Sequence, residues 1–236
     1  GDLAALLTNL GPRDVLFIDE IHRMHISVEE ILYSAMEDYR LDIVIGDGAA
    51  ARTMQIEIAP FTLIGATTRA GLLSNPLRDR FMAQFHFDFY TPEELSMIIS
   101  NNAKKLKIDI EVEAMLKMAR CSRGTPRIAN RILRRVRDFA VVRKSNTVSV
   151  DDVNHSLDMM EIDENGLDRM DRKILTVISE YYSGGPVGIE ALSATLSEDK
   201  NTIEDVYEPF LLKEGFLLRT PRGREISDKT REILEN

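Results

Sequence analysis

Residues 15–20 read Val-Leu-Phe-Ile-Asp-Glu. Four consecutive apolar side chains, if extended, need apolar cover on both faces, as in an inner strand of a parallel sheet. Two adjacent carboxylates close the run where strand gives way to loop. In open α/β sheets, ligands gather beyond the carboxyl ends of the strands. The hexapeptide therefore predicts both a fold class and a place for chemistry. Phe61–Ala66 is a second buried-strand pattern, and Thr67 and Thr68 follow it. Between the two runs, Val28, Ile31, Leu32, Ala35 and Met36 recur at helical spacing. Strands alternating with helices predict an α/β core with a parallel sheet. Phe85–Phe89, alternating with His86 and Asp88, predicts one more short strand.

Leu41–Ile45 and Met54–Ile58 flank Gly46-Asp47-Gly48 and read as a hairpin. Ile43, Val44 and Ile45 are consecutive, so some must face away from a one-sided core. An exposed apolar tip of this kind suits a protein partner, unless neighbouring helices cover both faces.

After Tyr90 the pattern changes. Thr91-Pro92-Glu93-Glu94 is a helix start, with Thr as N-cap, Pro in the first turn and Glu at the third position. Helical segments continue to about Ile162. From Asn165-Gly166 onward, three short helices precede a strand-turn-strand around Thr220-Pro221-Arg222-Gly223, the winged-helix order. The expected domains are 1–90, the α/β part; 91–162, all helical; and 163–236, a winged helix.

The 236 residues carry a net charge of −9, which argues against a nonspecific nucleic-acid coat. Positive charge is concentrated in Arg120–Lys144 and Phe216–Arg224. A lone cysteine excludes an internal disulfide, and no apolar run is long enough to span a bilayer, so a cytoplasmic protein is expected.

An Asp-Glu pair at a strand end has a use in nucleotide hydrolysis: Asp19 would hold hydrated Mg²⁺ and Glu20 would polarise the attacking water. Taken alone, the pair is more often two solvated acids. Three further signals follow in the order nucleotide mechanics require. A hydroxyl of Thr67 or Thr68 would orient the lytic water, although the same residues suit a plain turn. Arg78 and Arg80, ending a short helix, offer an exposed guanidinium to a neighbouring subunit's γ-phosphate; the plain alternative is a surface arginine. Arg127, in the first turn of a later helix, would report on the same phosphate as domains close; otherwise it belongs to a solvated basic face. In the winged helix, Lys200–Glu214 bears Glu204, Asp205, Glu208 and Glu214, which phosphates would repel. The wing, with Arg219, Arg222 and Arg224 and no acid until Glu225, is the expected DNA-contacting element, acting through backbone phosphates.

In this order the motifs resemble the AAA+ ATPases: Walker B, sensor 1, arginine finger and a sensor 2 in a helical lid. FIDEIHRM, MEDYRLDIVIGDGAAAR, FTLIGATTRAG, PLRDRF, GTPRIANRILRRVRDFA and FLLRTPRGR together resemble the RuvB family of Holliday-junction branch-migration motors, from residue 1 to residue 236. The resemblance implies the C-terminal part of an AAA+ core, a lid and a winged helix. It implies ATP and Mg²⁺ as cofactors, with Asp19 and Glu20 as Walker B acids. Thr67 and Thr68 hold the sensor 1 position, Thr68 preferred. Arg80, with Arg78 as the alternative, is the finger given in trans. Glu37, Asp38 and Tyr39 would face the adjacent subunit's nucleotide; Tyr90 and Arg127 would contact the chain's own. Arg219 and Arg224 match DNA-contacting arginines. Implied partners are duplex DNA at four-way junctions, a RuvA-like protein on the Ile43–Ile45 hairpin, further copies in a hexameric ring, and a RuvC-like nuclease.

No G-x-x-x-x-G-K-[ST] loop occurs in the sequence. The family carries that loop upstream, with two more sheet strands, one of which separates the strand ending at Thr67 from Phe85–Phe89. A piece of a longer chain is therefore expected, inactive by itself as an ATPase. Two other readings are a clamp-loader or initiator-like AAA+ switch, and a non-enzymatic winged-helix DNA-binding or adaptor protein with a relic ATPase half.

Overall fold

The computed structural model describes residues 2–45, 52–145 and 147–235. Helix α1 (Asp2–Thr8) leads to strand β1 (Val15–Ile18), and after a short 3₁₀ turn to α2 (Ile26–Asp38). Strands β2 (Arg40–Ile45) and β3 (Arg52–Glu57) pair antiparallel, Ile43 opposite Met54. Strand β4 (Thr62–Gly65) then pairs parallel with β1, Val15 to Thr62 through Ile18 to Gly65. Helix α3 (Asn75–Arg80) starts on a Ser74 cap and closes the first of two compact units, residues 1–86. Its core gathers Leu7, Ile21, Leu32, Ala35, Leu41 and Leu77.

Two expectations fail in this unit. β1 and β4 are not covered on both faces: Val15 and Phe17 are each 58% exposed and Ile64 48%. Among the described residues each strand has one partner, so only the alternate side chains Leu16, Ile18 and Leu63 reach the core. Phe85–Phe89 forms no strand, and Phe85 and Phe87 are 81% and 94% exposed. Alternation of side chains cannot make a strand where no neighbouring backbone completes its hydrogen bonds. The Gly46-Asp47-Gly48 turn lies outside the described residues. So do the side chains of Val44 and Ile45; Ile43 is half-buried against the unit's core.

The second unit, residues 87–236, holds two hydrophobic cores. The first is built by α4 (Pro92–Leu106), α5 (Val112–Arg120), α6 (Pro126–Val142) and α7 (Val150–Met159), with a two-residue parallel pair, β5 (Asp109–Ile110) and β6 (Thr147–Val148). The capping box read at Thr91 is present, Thr91 and Glu94 each bonding the other's backbone N–H. Along α6, Ala129, Ile132, Leu133, Val136 and Ala140 recur at three- and four-residue spacing and are wholly buried. Each large member contributes about 1.5–3 kcal/mol by leaving water. The same period turns Arg127, Arg131, Arg134 and Arg135 outward.

The second core is built by α8 (Arg169–Tyr181), α9 (Ile189–Leu196) and a third helix made of α10 (Lys200–Thr202), a π-helical turn (Ile203–Tyr207) and α11 (Glu208–Lys213). An antiparallel wing, β7 (Leu217–Thr220) and β8 (Gly223–Ile226), follows, and then α12 (Asp228–Glu235). This is the winged-helix order expected from the sequence.

Candidate functional site

Parallel pairing of β1 with β4 brings the acid pair beside the threonines. Ile18 accepts from Ala66 N–H at 2.9 Å and Ile21 N–H donates to Ala66 at 2.9 Å, so the two strand ends are stitched together just where Asp19, Glu20, Thr67 and Thr68 begin. Glu20 has a left-handed backbone, φ 48°, which directs its side chain across the gap. Thr68 Oγ1 donates to Glu20 Oε2 at 3.1 Å, and Thr68 N–H points to the same oxygen at 3.4 Å. Glu20 Oε1 carries no hydrogen bond among the described residues. Asp19 is exposed; its Oδ1 accepts Glu20 N–H at 3.0 Å.

His22 also belongs to this cluster, and sequence reasoning missed it. Its Nδ1 lies 2.8 Å from Thr67 Oγ1 and 3.2 Å from Glu20 Oε2, with the side chain 8% exposed. The one available signal was an imidazole two residues past Glu20. Thr67 Oγ1 also accepts Arg69 N–H at 3.0 Å, so the two threonines differ: Thr67 braces the turn and Thr68 grips the acid.

Arg80 is not the free guanidinium expected. Its side chain is 25% exposed, lies over the Tyr33 ring at 4.4 Å, donates to the Pro76 carbonyl at 2.7 Å and pairs with Glu37 at 3.1 Å. The reason lies in how α3 is tied to α2. Ser74, the α3 cap, donates to buried Glu29 at 2.5 Å, and the Tyr33 hydroxyl joins both. Arg80 and Glu37 therefore share one edge of the unit, with Asp38 and Tyr39 at the end of α2. Asp38 is engaged by Arg40 at 2.9 Å, and Tyr39 is 42% exposed with φ 52°. Arg78 bonds Asn75 at 2.9 Å.

In the second unit, Tyr90 is 42% exposed and its N–H donates to Gly124 at 2.9 Å. Arg127 stands exposed in the first turn of α6. The three wing arginines part company. Arg222 sits exposed in the turn. Arg219 is half-exposed and pairs with Glu204 at 3.3 Å. Arg224 is buried at 6% and bonds Glu208 at 2.6 Å and Glu204 at 2.7 Å. This corrects the expectation for Arg224 as a phosphate contact, because the side chain is buried with its Nε and Nη2 bonded to Glu208 and Glu204. It also corrects the picture of a repulsive acidic helix beside a free basic wing. Arg219 and Arg224 sit directly opposite each other in the hairpin, an unfavourable pairing of like charges that Glu204 and Glu208 offset.

A second buried arginine joins the two cores. Arg123, left-handed at φ 53° and 6% exposed, pairs with Asp171 at 2.5 Å and Asp168 at 2.8 Å. It also donates to Gly166 O at 3.1 Å and lies over the Phe210 ring at 4.9 Å. Burial pushes the Asp171 carboxyl up to about 7, against the downward pull of Arg123. Burial likewise pushes the Cys121 thiol up to about 11, the state of an unreactive packing residue. Among the described residues there is no cluster of three or more His, Cys, Asp or Glu suited to a metal by themselves, and no helix long and apolar enough to cross a membrane.

Three family models tile the chain: the Holliday junction DNA helicase RuvB P-loop domain over residues 1–87, the RuvB AAA lid domain over 90–163, and the RuvB C-terminal winged helix domain over 164–235. The Holliday junction branch migration complex subunit RuvB of Lawsonia intracellularis is 61% identical over 224 residues, which cover 95% of this chain and 66% of that protein. The subunit of the same name from Nitratidesulfovibrio vulgaris is 56% identical over 229 residues, 97% of this chain and 72% of that one. The chain thus spans about two thirds to three quarters of the length of these relatives. Among solved structures, the Thermotoga maritima RuvB Holliday junction branch migration motor matches all of this chain and 74% of its own, with 50% identity and a TM-score of 0.90. A point variant of the same motor gives 0.91 at 50% identity.

Proposed function

Because this chain belongs to the RuvB family, we propose that it supplies the hydrolytic acids, lid and DNA-contacting wing of an ATP-driven motor. That motor pumps duplex DNA to migrate four-way junctions in recombination and repair. The supporting observation is the strand-end cluster, in which Thr68 and His22 both engage Glu20 Oε2 and leave Oε1 open. Two carboxylates at this position, one oriented and one exposed, fit a hydrated magnesium ion beside a triphosphate. Bound there, Mg·ATP supplies the phosphoryl group whose transfer to water releases the driving energy.

The chain's own residues divide the work. Asp19 presents its second oxygen to the water shell of the cation. Glu20 Oε1 accepts a hydrogen bond from the attacking water, and Thr68 sets its direction. Arg80 serves the neighbouring subunit's phosphates by exchanging Glu37 for them, and Glu37, Asp38 and Tyr39 line that shared edge. Tyr90 and Arg127 contact the nucleotide from the lid. Arg222, assisted by Arg219, meets DNA phosphates. A RuvA-like protein docks on the Ile43–Ile45 hairpin of a hexameric ring, and a RuvC-like nuclease acts downstream. Residues 1–236 contain no phosphate-cradling G-x-x-x-x-G-K-[ST] loop, so by themselves they are proposed to be inactive.

In the full-length protein, Glu20→Gln should lower kcat for ATP by about 10²–10⁴-fold, the range for loss of a positioned general base. Binding of a fluorescent ATP analogue should be retained. Turnover within a few-fold of the parent would defeat the assignment.

A further inference from the structure

Outside the cluster and the wing, a groove of about 870 Å³ runs along the outer face of α6 and crosses to the start of α8. Arg127, Arg131, Arg134, Arg135 and Arg169 line it, and all five are exposed. None has an ion-pair partner among the described residues. The two acids in the lining are already engaged: Asp138 pairs with Arg137 at 2.5 Å, and Asp168 holds Arg123 at 2.8 Å while capping α8. A chain with net charge −9 thus gathers un-neutralised guanidiniums along one concave strip.

We propose that Arg131, Arg134, Arg135 and Arg169 form a second track for nucleic-acid phosphates, separate from the wing. The inference rests on the reading that this protein handles duplex DNA. Residues 131 to 135 span about 6 Å of helix, at 1.5 Å per residue. One strand of a duplex presents a phosphate about every 3.4 Å of axis, so the α6 arginines face about two of them and Arg169 extends the row. Guanidiniums suit phosphate oxygens through paired N–H donors, contacts that carry no sequence information. Met159, Met160 and Met170 also line the groove, so a contact between copies of the chain is the alternative that the test separates from DNA.

The test is a salt titration of the full-length protein on a fluorescein-labelled duplex of mixed sequence. The triple variant Arg131→Gln/Arg134→Gln/Arg135→Gln should bind at least tenfold more weakly at low salt. Its plot of log affinity against log salt should be shallower by about 2 to 3, close to 0.9 per lost contact. The matching triple Lys variant should keep most of the slope, which separates charge from packing. If the Gln variant binds with the parent's affinity and slope while Arg222→Gln is weakened, the groove assignment is wrong and the motor reading stands. If the parent itself shows no salt-dependent DNA binding, the motor reading is wrong. If the Gln variant changes only the oligomer size in light scattering, the groove is a contact between copies and the proposal is overturned.

Discussion

The strand-end cluster of the first unit and the buried ion pairs of the second use the same chemical groups to opposite ends. Glu20 is gripped at one oxygen and open at the other. Arg224 and Arg123 are wrapped by carboxylates and carbonyls, with almost no surface left. In the first arrangement, part of each group's bonding capacity stays available to something from outside. In the second, the protein consumes nearly all of it, the Asp171 Oδ1 atom being the exception. Arg80 stands between the two, held by Glu37 and Pro76 yet with its Nε unmatched. What separates binding groups from structural ones is whether donors and acceptors remain unmatched.

The sharpest way to break this contrast is Arg224→Ala. Removing one partner of a buried ion pair strands the other, at a cost of about 3–5 kcal/mol. Glu208, 1% exposed, would be left with only the more distant Arg219 guanidinium, 3.9 Å away. Urea unfolding should show that loss, and a neutral result would mean the pair is not structural. Arg222→Ala is the counterpart: stability should change by less than about 0.5 kcal/mol, while affinity for duplex DNA falls. Destabilisation without weaker binding would invert the roles of these two arginines.

The smallest effect concerns pH. Asp171 is held at about 7, above its ordinary 3.8. The folded protein therefore keeps a proton that the unfolded chain releases. Stability from this group is complete below the unfolded value and is lost as pH rises through the folded one. Comparing thermal midpoints of the parent and Asp171→Asn from pH 5 to 8 should show the difference moving in the variant's favour as pH rises. A constant difference would mean the Arg123 pairing keeps Asp171 ionised throughout.

Much of this was legible in the residues. Apolar runs located β1 and β4, spacing located α2, and cap chemistry located α4. The juxtaposition of Asp19 and Glu20 with Thr67 and Thr68 followed from parallel pairing of two strands. Three things were not legible. Phe85–Phe89 has a strand's alternation, but pairing depends on a neighbour that local sequence does not encode. Arg222 and Arg224 are two positions apart in one basic hexapeptide, and only the tertiary approach of Glu204 and Glu208 separates them. His22 enters the cluster because the short 3₁₀ turn after β1 folds it back, a geometry with no compositional signature.

Gly124 has φ +72°, and a methyl group added there would stand 2.8 Å from both Phe89 Cβ and Lys213 Nζ. Its carbonyl receives Tyr90 N–H, its neighbour Arg123 reaches Gly166 and Asp171, and Lys213 lies over the Phe89 ring. Residues 89 and 90, the turn between α5 and α6, the start of the winged helix and the end of its α11 are thus fastened at one crowded spot. A twist applied to the backbone at Tyr90 has little slack to absorb it there. The wing should swing with the lid like a blade on a shared axle.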